Sequence, residues 1–216
     1  EVERQNDPSL IGKAVIVGGE SERGVVASAS YEARSMGVRS AMSSVLAKKL
    51  CPDAVFIRSN FSRYREVSEQ VHEIFYSVTP HIEPIALDEA FLDISGAHKL
   101  FGGSETIAWQ LRNDVYVGVG LDCSVGVARS KLLAKLASVA AKPKASPRGV
   151  QPGRGVFVVP SEEETSFLQA HPVEALWGVG SVTFARLEAL GISTVGELAA
   201  VPEDVLVETL GASHGA

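Results

Sequence analysis

The chain has 216 residues, 45% of them hydrophobic and 21% charged, and its 26 acidic residues outnumber its 20 basic ones to give a net charge of −6. This composition excludes a disordered or collagen-like chain, and no apolar run reaches the roughly 18 residues that a membrane helix needs. Two cysteines cannot build a disulfide framework or a zinc cluster, so we expect a cytoplasmic protein. The first residues do not have the pattern of a signal peptide, and we expect none.

In chain order, the hydrophobic patterns predict strands and helices in alternation. Strands are predicted at 13–18, 24–28, 82–94 (with a sharp turn near its middle), 123–128 and 156–159. Helices are predicted at 31–36, stopped by Gly37, and at 67–78, 104–116 and 130–142, the last capped by Ser130. This order is typical of an α+β fold in which helices pack on one face of a mixed sheet.

The segment 143–155 contains three prolines and three glycines, which makes it the best candidate for a domain boundary. Beyond the strand at 156–159, the remaining chain is predicted to be helical with short turns.

The charge is distributed unevenly along the chain. Residues 1–149 contain 18 basic and 17 acidic residues, whereas residues 150–216 contain two and nine. The segment 123–161 contains seven basic residues and no acidic one. Such asymmetry indicates either an anionic ligand or an ordinary solvated basic face. Taken alone, the negative net charge argues against a nucleic-acid partner.

Two adjacent acids, Asp88 and Glu89, interrupt an otherwise apolar strand pattern. Neighbouring strand side chains point to opposite faces, so both carboxylates can reach one ion only at a bend or a hairpin tip. Mg²⁺ binds one or two carboxylates together with substrate phosphates. The pair therefore indicates either a magnesium site or a solvated turn, while Asp93 is interpreted as an outward-facing residue or the partner of a base.

Three lysines, Lys131, Lys135 and Lys142, lie on one side of the predicted helix 130–142. Like charges on one stripe repel each other unless an anion is present, so the stripe indicates either a phosphate-facing surface or a solvated one.

The glycine turn Gly178-Val179-Gly180 is not a dinucleotide fingerprint, because position 183 is Thr and no suitable strand precedes it. A turn between two short helices that exposes backbone N–H groups suits a phosphate. An ordinary helix–helix turn is the alternative interpretation.

Four ordered blocks together resemble the Y-family translesion DNA polymerases, most closely the bacterial DNA polymerase IV branch. The blocks are YEARSMGVRSAM (31–42), LDEAFLDISG (87–96), SVGVARSKLLAKLASVAAKP (124–143) and LWGVGSVTFARLEALGI (176–192). The resemblance implies small α/β fingers at 1–59, a palm with a mixed sheet at 60–149 and a helical thumb with a helix-hairpin-helix at 150–216. It implies an error-prone, template-directed DNA polymerase that uses two Mg²⁺ ions, primer–template DNA and dNTPs.

The same resemblance assigns roles to individual residues. Asp88 and Glu89 would hold the metal ions and act as the catalytic pair. The incoming nucleotide would contact Ser28, Tyr31, Arg34 and Lys142. The roof over the nascent base pair would be Ala41 and Met42, and the duplex backbone would be held by Gly178, Gly180 and Ser181. The resemblance also implies that the protein is a monomer, that its full-length form contacts a sliding clamp, and that it contacts no membrane.

The chain also departs from the family pattern. The family's first metal-binding Asp and its ribonucleotide-excluding aromatic residue precede a Val-Glu that matches Val2-Glu3, so both would fall before the first residue. The little-finger domain would follow the last one. Smaller differences are Ala86 for a common Ser, Ser43 for a common Pro, and a longer loop after Pro143. We therefore expect a fragment with little activity alone.

The residue patterns also allow two other functions. A nucleotidyl cyclase-type enzyme also pairs palm carboxylates with two metals, and it would form a cyclic product without DNA. A non-catalytic DNA-binding module would use only the glycine hairpin and would bind no nucleotide in a Mg²⁺-dependent way.

Overall fold

The computed structural model of the protein describes residues 1–211. The helices are α1 (Val2–Asn6), α2 (Tyr31–Ser35), α3 (Ser44–Leu50), α4 (Phe61–Val78), α5 (His98–Phe101), α6 (Ser104–Val119), α7 (Lys131–Ala141), α8 (Glu164–Gln169), α9 (Ser181–Ala189), α10 (Val195–Ala199) and α11 (Glu203–Leu210). The strands are β1 (Val15–Gly18), β2 (Val26–Ala29), β3 (Val55–Ile57), β4 (Ile82–Ala86), β5 (Glu89–Leu92), β6 (Val125–Val127), β7 (Lys144–Ser146), β8 (Gly149–Gln151) and β9 (Val156–Val158). Helices and small sheets alternate along the chain, which confirms the predicted α+β class.

The first sheet has the strand order β2-β1-β3. Its central strand β1 pairs antiparallel with β2 and parallel with β3. Alternating apolar side chains of these strands and of α2 and α3 form one buried cluster, with Ile16, Val26 and Ala33 at its centre. The hydroxyl of Ser30 caps α2 by accepting from the Ala33 N–H and also accepts from the Val15 N–H, so the start of α2 is fixed to β1.

The second sheet is the β4–β5 hairpin, whose register pairs Ile82 with Leu92 and Ala86 with Glu89. Two residues, Leu87 and Asp88, connect the strands, and the register is irregular between Pro84 and Ala86. The sharp turn predicted inside 82–94 is therefore confirmed.

Helices α4 and α6 pack against each other and cover a core that contains Val78, Ile107 and Leu111. α4 begins at the Asn60 cap, whose side chain accepts from the Arg63 N–H. It ends two residues before Pro80, as the restriction that proline places on the preceding residue predicts.

Ser130 caps α7 as predicted, because its hydroxyl accepts from the Leu133 N–H at 3.3 Å. The helix ends at Ala141, so Lys142 follows the last turn instead of lying within it.

The segment 143–155 contains a β hairpin, although its prolines and glycines predict a boundary. β7 and β8 pair antiparallel from Lys144–Gln151 to Ser146–Gly149, and both strands pack against α2. An isolated two-stranded hairpin is marginal in water, so this contact with α2 is what supports it.

By its contacts the chain divides into two compact units. The first contains Glu1–Val125 and Ala140–Phe157, and the second contains Gly126–Val139 and the chain from Val158 onward. The second unit has its own buried core of Val173, Leu187 and Ile192. The division into fingers, palm and thumb stays a prediction. Within residues 1–211, no helix combines the length and the apolar character that crossing a membrane requires.

Candidate active site

The two acids singled out in the sequence lie at the tip of the β4–β5 hairpin. Asp88 is exposed in the two-residue connection, and Glu89 is the half-buried first residue of β5. A hairpin tip is the geometry in which neighbouring carboxylates can approach a single ion, because the strand alternation of side chains ends there. The irregular register between Pro84 and Ala86 bends strand β4 just before the tip.

Lys142 lies beside this tip, with its Nζ 3.8 Å from Glu89 Oε1. The two side chains are 43% and 32% exposed, so water screens their attraction. Such a pair contributes at most about 1 kcal/mol. A bound anion can therefore take over the lysine at little cost.

Helix α2 presents Tyr31 and Arg34 on one side. The Arg34 Nε donates to the Ala29 carbonyl at 2.9 Å, and its guanidinium carbon lies 6.0 Å from the centre of the Tyr31 ring. Burial raises the pKa of Tyr31 above the usual phenol value and outweighs the opposing effect of Arg34. At neutral pH the tyrosine is therefore a hydrogen-bond donor. Ser28 is exposed on β2, opposite Val17.

A second ionic contact holds α2 in place. Arg4 donates to Glu32 Oε2 at 2.6 Å, and the Arg4 side chain is only 15% exposed. Burial by itself raises the pKa of Glu32, but hydrogen bonds from backbone N–H, Ser30 and Arg4 outweigh burial and lower it. The residue patterns gave no role to this pair, because nothing in the sequence relates positions 28 residues apart.

Ala41 and Met42 lie in the loop before α3. Ala41 has φ of 65°, the one non-glycine residue with positive φ in the described chain. Backbone bonds from Ala41 N to Val26 O and from Val26 N to Met42 O hold this conformation. The Met42 side chain packs against the core of the first sheet, whereas Ala41 is exposed.

In the second unit, Gly178, Gly180 and Ser181 form the turn into α9. Gly178 has φ of 90°, a conformation that favours glycine. Gly180 is the N-cap of α9, and Ser181 is the first helical residue. No side chain caps this helix start, so its first N–H groups are available to an anion.

The carboxylates at the hairpin tip fit a divalent cation that is shared with a substrate. Among residues 1–211 no group of three or more His, Cys, Asp or Glu side chains could hold a metal ion. Mg²⁺ commonly takes one or two protein carboxylates and completes its shell with water and substrate phosphates. Two carboxylates next to a lysine match that pattern better than they match a closed metal site.

Known proteins resemble this chain along most of its length. The model of the impB/mucB/samB family matches residues 1–139. The chain is 44% identical over 210 residues to DNA polymerase IV of Desulfatibacillum aliphaticivorans, a match that covers 97% of this chain and 50% of that protein. It is 46% identical over 198 residues to DNA polymerase IV of Halorhodospira halophila, covering 91% of this chain and 53% of that one. The chain thus spans about half the length of the curated relatives it matches.

Solved structures show the same fold. The crystal structure of DinB from Sulfolobus solfataricus matches with a TM-score of 0.83 at 28% identity, covering 98% of this chain and 60% of that one. The insertion ternary complex of Dbh DNA polymerase matches with a TM-score of 0.82, also at 28% identity and with the same coverage.

Proposed function

The chain belongs to the impB/mucB/samB family, in agreement with its Y-family motifs, and we propose that the protein is a template-directed DNA polymerase of the error-prone, translesion type. The observation that carries this proposal is the hairpin tip, where Asp88 and Glu89 adjoin with Lys142 3.8 Å from Glu89. The names of the relatives support the same activity.

We propose that Asp88 and Glu89 hold divalent ions at this tip, with two Mg²⁺ as the cofactor. Such ions supply activation of the primer 3′ oxygen and stabilisation of the charge on the leaving pyrophosphate. The two carboxylates bind and orient the ions from an exposed hairpin, so the substrate phosphates can complete the coordination.

Lys142, Arg34 and Tyr31 are proposed to bind the incoming dNTP, with Ser28 beside them. Phosphoryl transfer depends mainly on positioning and charge stabilisation. Lys142 exchanges its exposed pairing with Glu89 for a phosphate oxygen. Arg34 is anchored through Nε to Ala29, so its two terminal nitrogens form the fork that suits a phosphate. Tyr31 donates its O–H, because a phenol is protonated at neutral pH and burial raises its pKa further.

The primer–template duplex is proposed to contact the α9 start through the Gly178, Gly180 and Ser181 backbone amides. Ala41 and Met42 are proposed as the roof over the nascent base pair. The resemblance alone supports the remaining parts of the proposal: the fingers, palm and thumb division, a sliding-clamp contact, a monomeric state and a cytoplasmic location.

Primer extension with Mg²⁺ by the full-length parent protein tests the function, because the chain spans about half the length of its relatives. We expect Asp88→Asn to lower the extension rate by roughly a hundredfold or more, because a charged metal ligand becomes neutral. The matched control is Asp93→Asn at the base of the same hairpin, where the carboxylate only accepts hydrogen bonds from Ser95. This control keeps most of its activity.

Three outcomes contradict parts of the proposal. Normal extension by Asp88→Asn overturns the site. A cyclic product formed from a nucleotide without DNA identifies a cyclase. Duplex binding without any Mg²⁺-dependent stabilisation by nucleotide identifies a non-catalytic DNA-binding module.

A further inference from the structure

Two buried hydroxyl groups, one in helix α4 and one on the residue that follows it, bind the two ends of the carboxylate hairpin. The Ser68 hydroxyl donates to the Leu87 carbonyl at 2.6 Å, and the Thr79 hydroxyl donates to the Asp93 carbonyl at 2.7 Å. Within the described chain, buried polar side chains are confined to Ser44, Ser68 and Thr79. Two of these three therefore anchor a single hairpin.

The Ser68 bond acts on the peptide unit that leads directly into Asp88. Leu87 and Asp88 are the whole connection between the strands, and residues 83–88 are exposed. Little packing therefore holds the tip. Because Ser68 is only 7% exposed, water competes weakly for this bond, which strengthens it.

His72, one turn further along α4, leaves the Ser68 hydroxyl proton available for this bond. The His72 Nδ1 lies 2.8 Å from the Ser68 carbonyl oxygen, which can only accept. Nδ1 therefore carries the proton and donates it to that carbonyl. The ring also packs on Phe75, with the ring centres 5.5 Å apart. The Ser68 hydroxyl is thus left to donate to Leu87.

We propose that Ser68 is a positioning residue that orients the Asp88–Glu89 pair for cation binding through the Leu87 carbonyl. Its bond fixes the plane of the peptide before Asp88, and through it the direction in which both carboxylates leave the tip. Thr79 fixes the base of the hairpin instead. Its partner Asp93 lies four residues from Glu89 along β5, and the base of β4 lies further still from either carboxylate. Thr79 therefore has no such effect on the carboxylates. The cation binding and its catalytic consequence rest on the proposed function, whereas the anchoring does not.

Backbone hydrogen exchange in the purified full-length protein tests the anchor itself. We expect Ser68→Ala to speed exchange at residues 87–90 by about tenfold, the effect of losing one buried hydrogen bond. Thr79→Val, which keeps the side-chain volume, speeds exchange at the base of the hairpin instead. Ser77→Ala is the matched control in α4, because that exposed hydroxyl donates only to Ile74 in its own helix, and it alters neither region.

Mn²⁺ binding followed by electron paramagnetic resonance tests the positioning without relying on activity. Ser68→Ala is expected to weaken Mn²⁺ binding by about three- to tenfold, whereas Thr79→Val and Ser77→Ala stay within twofold of the unaltered protein. In primer extension, Ser68→Ala raises the half-activating Mg²⁺ concentration and lowers kcat by similar factors, with the KM for dNTP within twofold. Ser68→Thr retains the hydroxyl and restores both values.

The proposal is overturned if exchange at 87–90 is unchanged, or if Thr79→Val weakens Mn²⁺ binding as much as Ser68→Ala does. If Ser68→Ala does not fold, Ser68→Cys takes its place, because a thiol has nearly the same volume and donates weakly. A protein that extends no primer but shows the Mn²⁺ and exchange effects would refute the polymerase proposal and leave the Ser68 proposal standing.

Discussion

Arg4 connects the first helix of the chain to the helix that carries Tyr31 and Arg34. Its guanidinium donates both to Glu1 at 2.9 Å and to Glu32 at 2.6 Å. The two contacts differ in environment, because Glu1 is 52% exposed and Glu32 is 32% exposed. Charged hydrogen bonds gain strength as water is excluded, so the contact to Glu32 is the one expected to stabilise the fold.

Glu32→Gln is expected to lower the free energy of unfolding at pH 7 by about 1 kcal/mol. The matched control Glu1→Gln changes it by less than about 0.5 kcal/mol, as is usual for exposed pairs. The pKa of Glu32 is lowered in the fold, so its stabilisation is complete above the ordinary carboxyl pKa and is lost as the pH falls through the lowered value. Denaturant unfolding at pH 7 and pH 3 measures this, and an equal difference at both values contradicts it.

Ala41 stores backbone strain at the proposed roof. Its φ of 65° lies in the left-handed region, which costs a residue with a Cβ about 1 kcal/mol or more. Such strain persists only where surrounding contacts enforce it, and here the two backbone bonds to Val26 do so.

Ala41→Gly is expected to raise the free energy of unfolding by about 0.5 kcal/mol, because relief of the strain exceeds the added entropy of the unfolded chain. Ala27→Gly in β2, at an exposed alanine that lacks the positive φ of Ala41, lowers it by about 0.5–1 kcal/mol. Thermal denaturation compares the two variants, and destabilisation by both shows that position 41 is unstrained.

Helix α10 illustrates how far local sequence specifies an element. Thr194 and Glu197 form a reciprocal capping box, and the Glu197 carboxylate also accepts from the Ser193 N–H and hydroxyl. These bonds, the Ser193 backbone N–H foremost, lower the pKa of Glu197 to about 2. The box can be recognised in the sequence, because Glu three residues after Thr is its signature.

Glu197→Gln is expected to lower the melting temperature of the second unit at pH 7. The lowered pKa means that the carboxylate stabilises the fold fully above about pH 4.5, and that this stabilisation disappears as the pH falls towards about 2. Glu188→Gln, an exposed charge on α9, is the control and leaves the melting temperature nearly unchanged. A difference that persists undiminished at pH 2.5 contradicts the assigned cause.

The β7–β8 hairpin marks the limit of such local rules. Its prolines and glycines predict a boundary, and the residues of its strands show no long apolar alternation. The pairing exists because both strands pack against α2, a contact between segments more than a hundred residues apart. The start of α7, by contrast, lies where its cap Ser130 predicts it. Helix α4 begins at Phe61, well before the start that the apolar pattern 67–78 predicts, because Asn60 caps it there.

The net charge of the molecule is concentrated in its last third. The net value of −6 arises because residues 150–216 contain nine acidic and two basic residues, whereas residues 1–149 are nearly balanced. In the second unit the exposed Arg186 lies in the last turn of α9, the helix that follows the Gly178–Ser181 turn. Arg129 is held at 2.9 and 2.7 Å by both oxygens of Glu164.

Basic side chains that contact DNA phosphates release bound counterions. DNA affinity is therefore expected to fall by at least about tenfold between 50 and 200 mM salt, despite the acidic net charge. Arg186→Gln is expected to reduce the slope of log affinity against log salt by about one. The matched control Arg129→Gln makes the same change in net charge but leaves the slope unaltered, because its guanidinium already pairs with Glu164. Fluorescence anisotropy of labelled duplex measures both, and equal effects would show that only net charge matters.

The family, the α+β class, the sharp turn inside 82–94 and the start of α7 at Ser130 could all be predicted from the sequence. These features depend on residue order within a few positions, where hydrogen-bond and steric rules operate without knowledge of the rest of the chain. Tertiary structure alone decided the Arg4–Glu32 pair, the Lys142–Glu89 contact, the β7–β8 hairpin and the Ser68 anchor. Each of these joins segments that are distant in sequence, and a polar group becomes an effective partner only where packing brings the two together and excludes water.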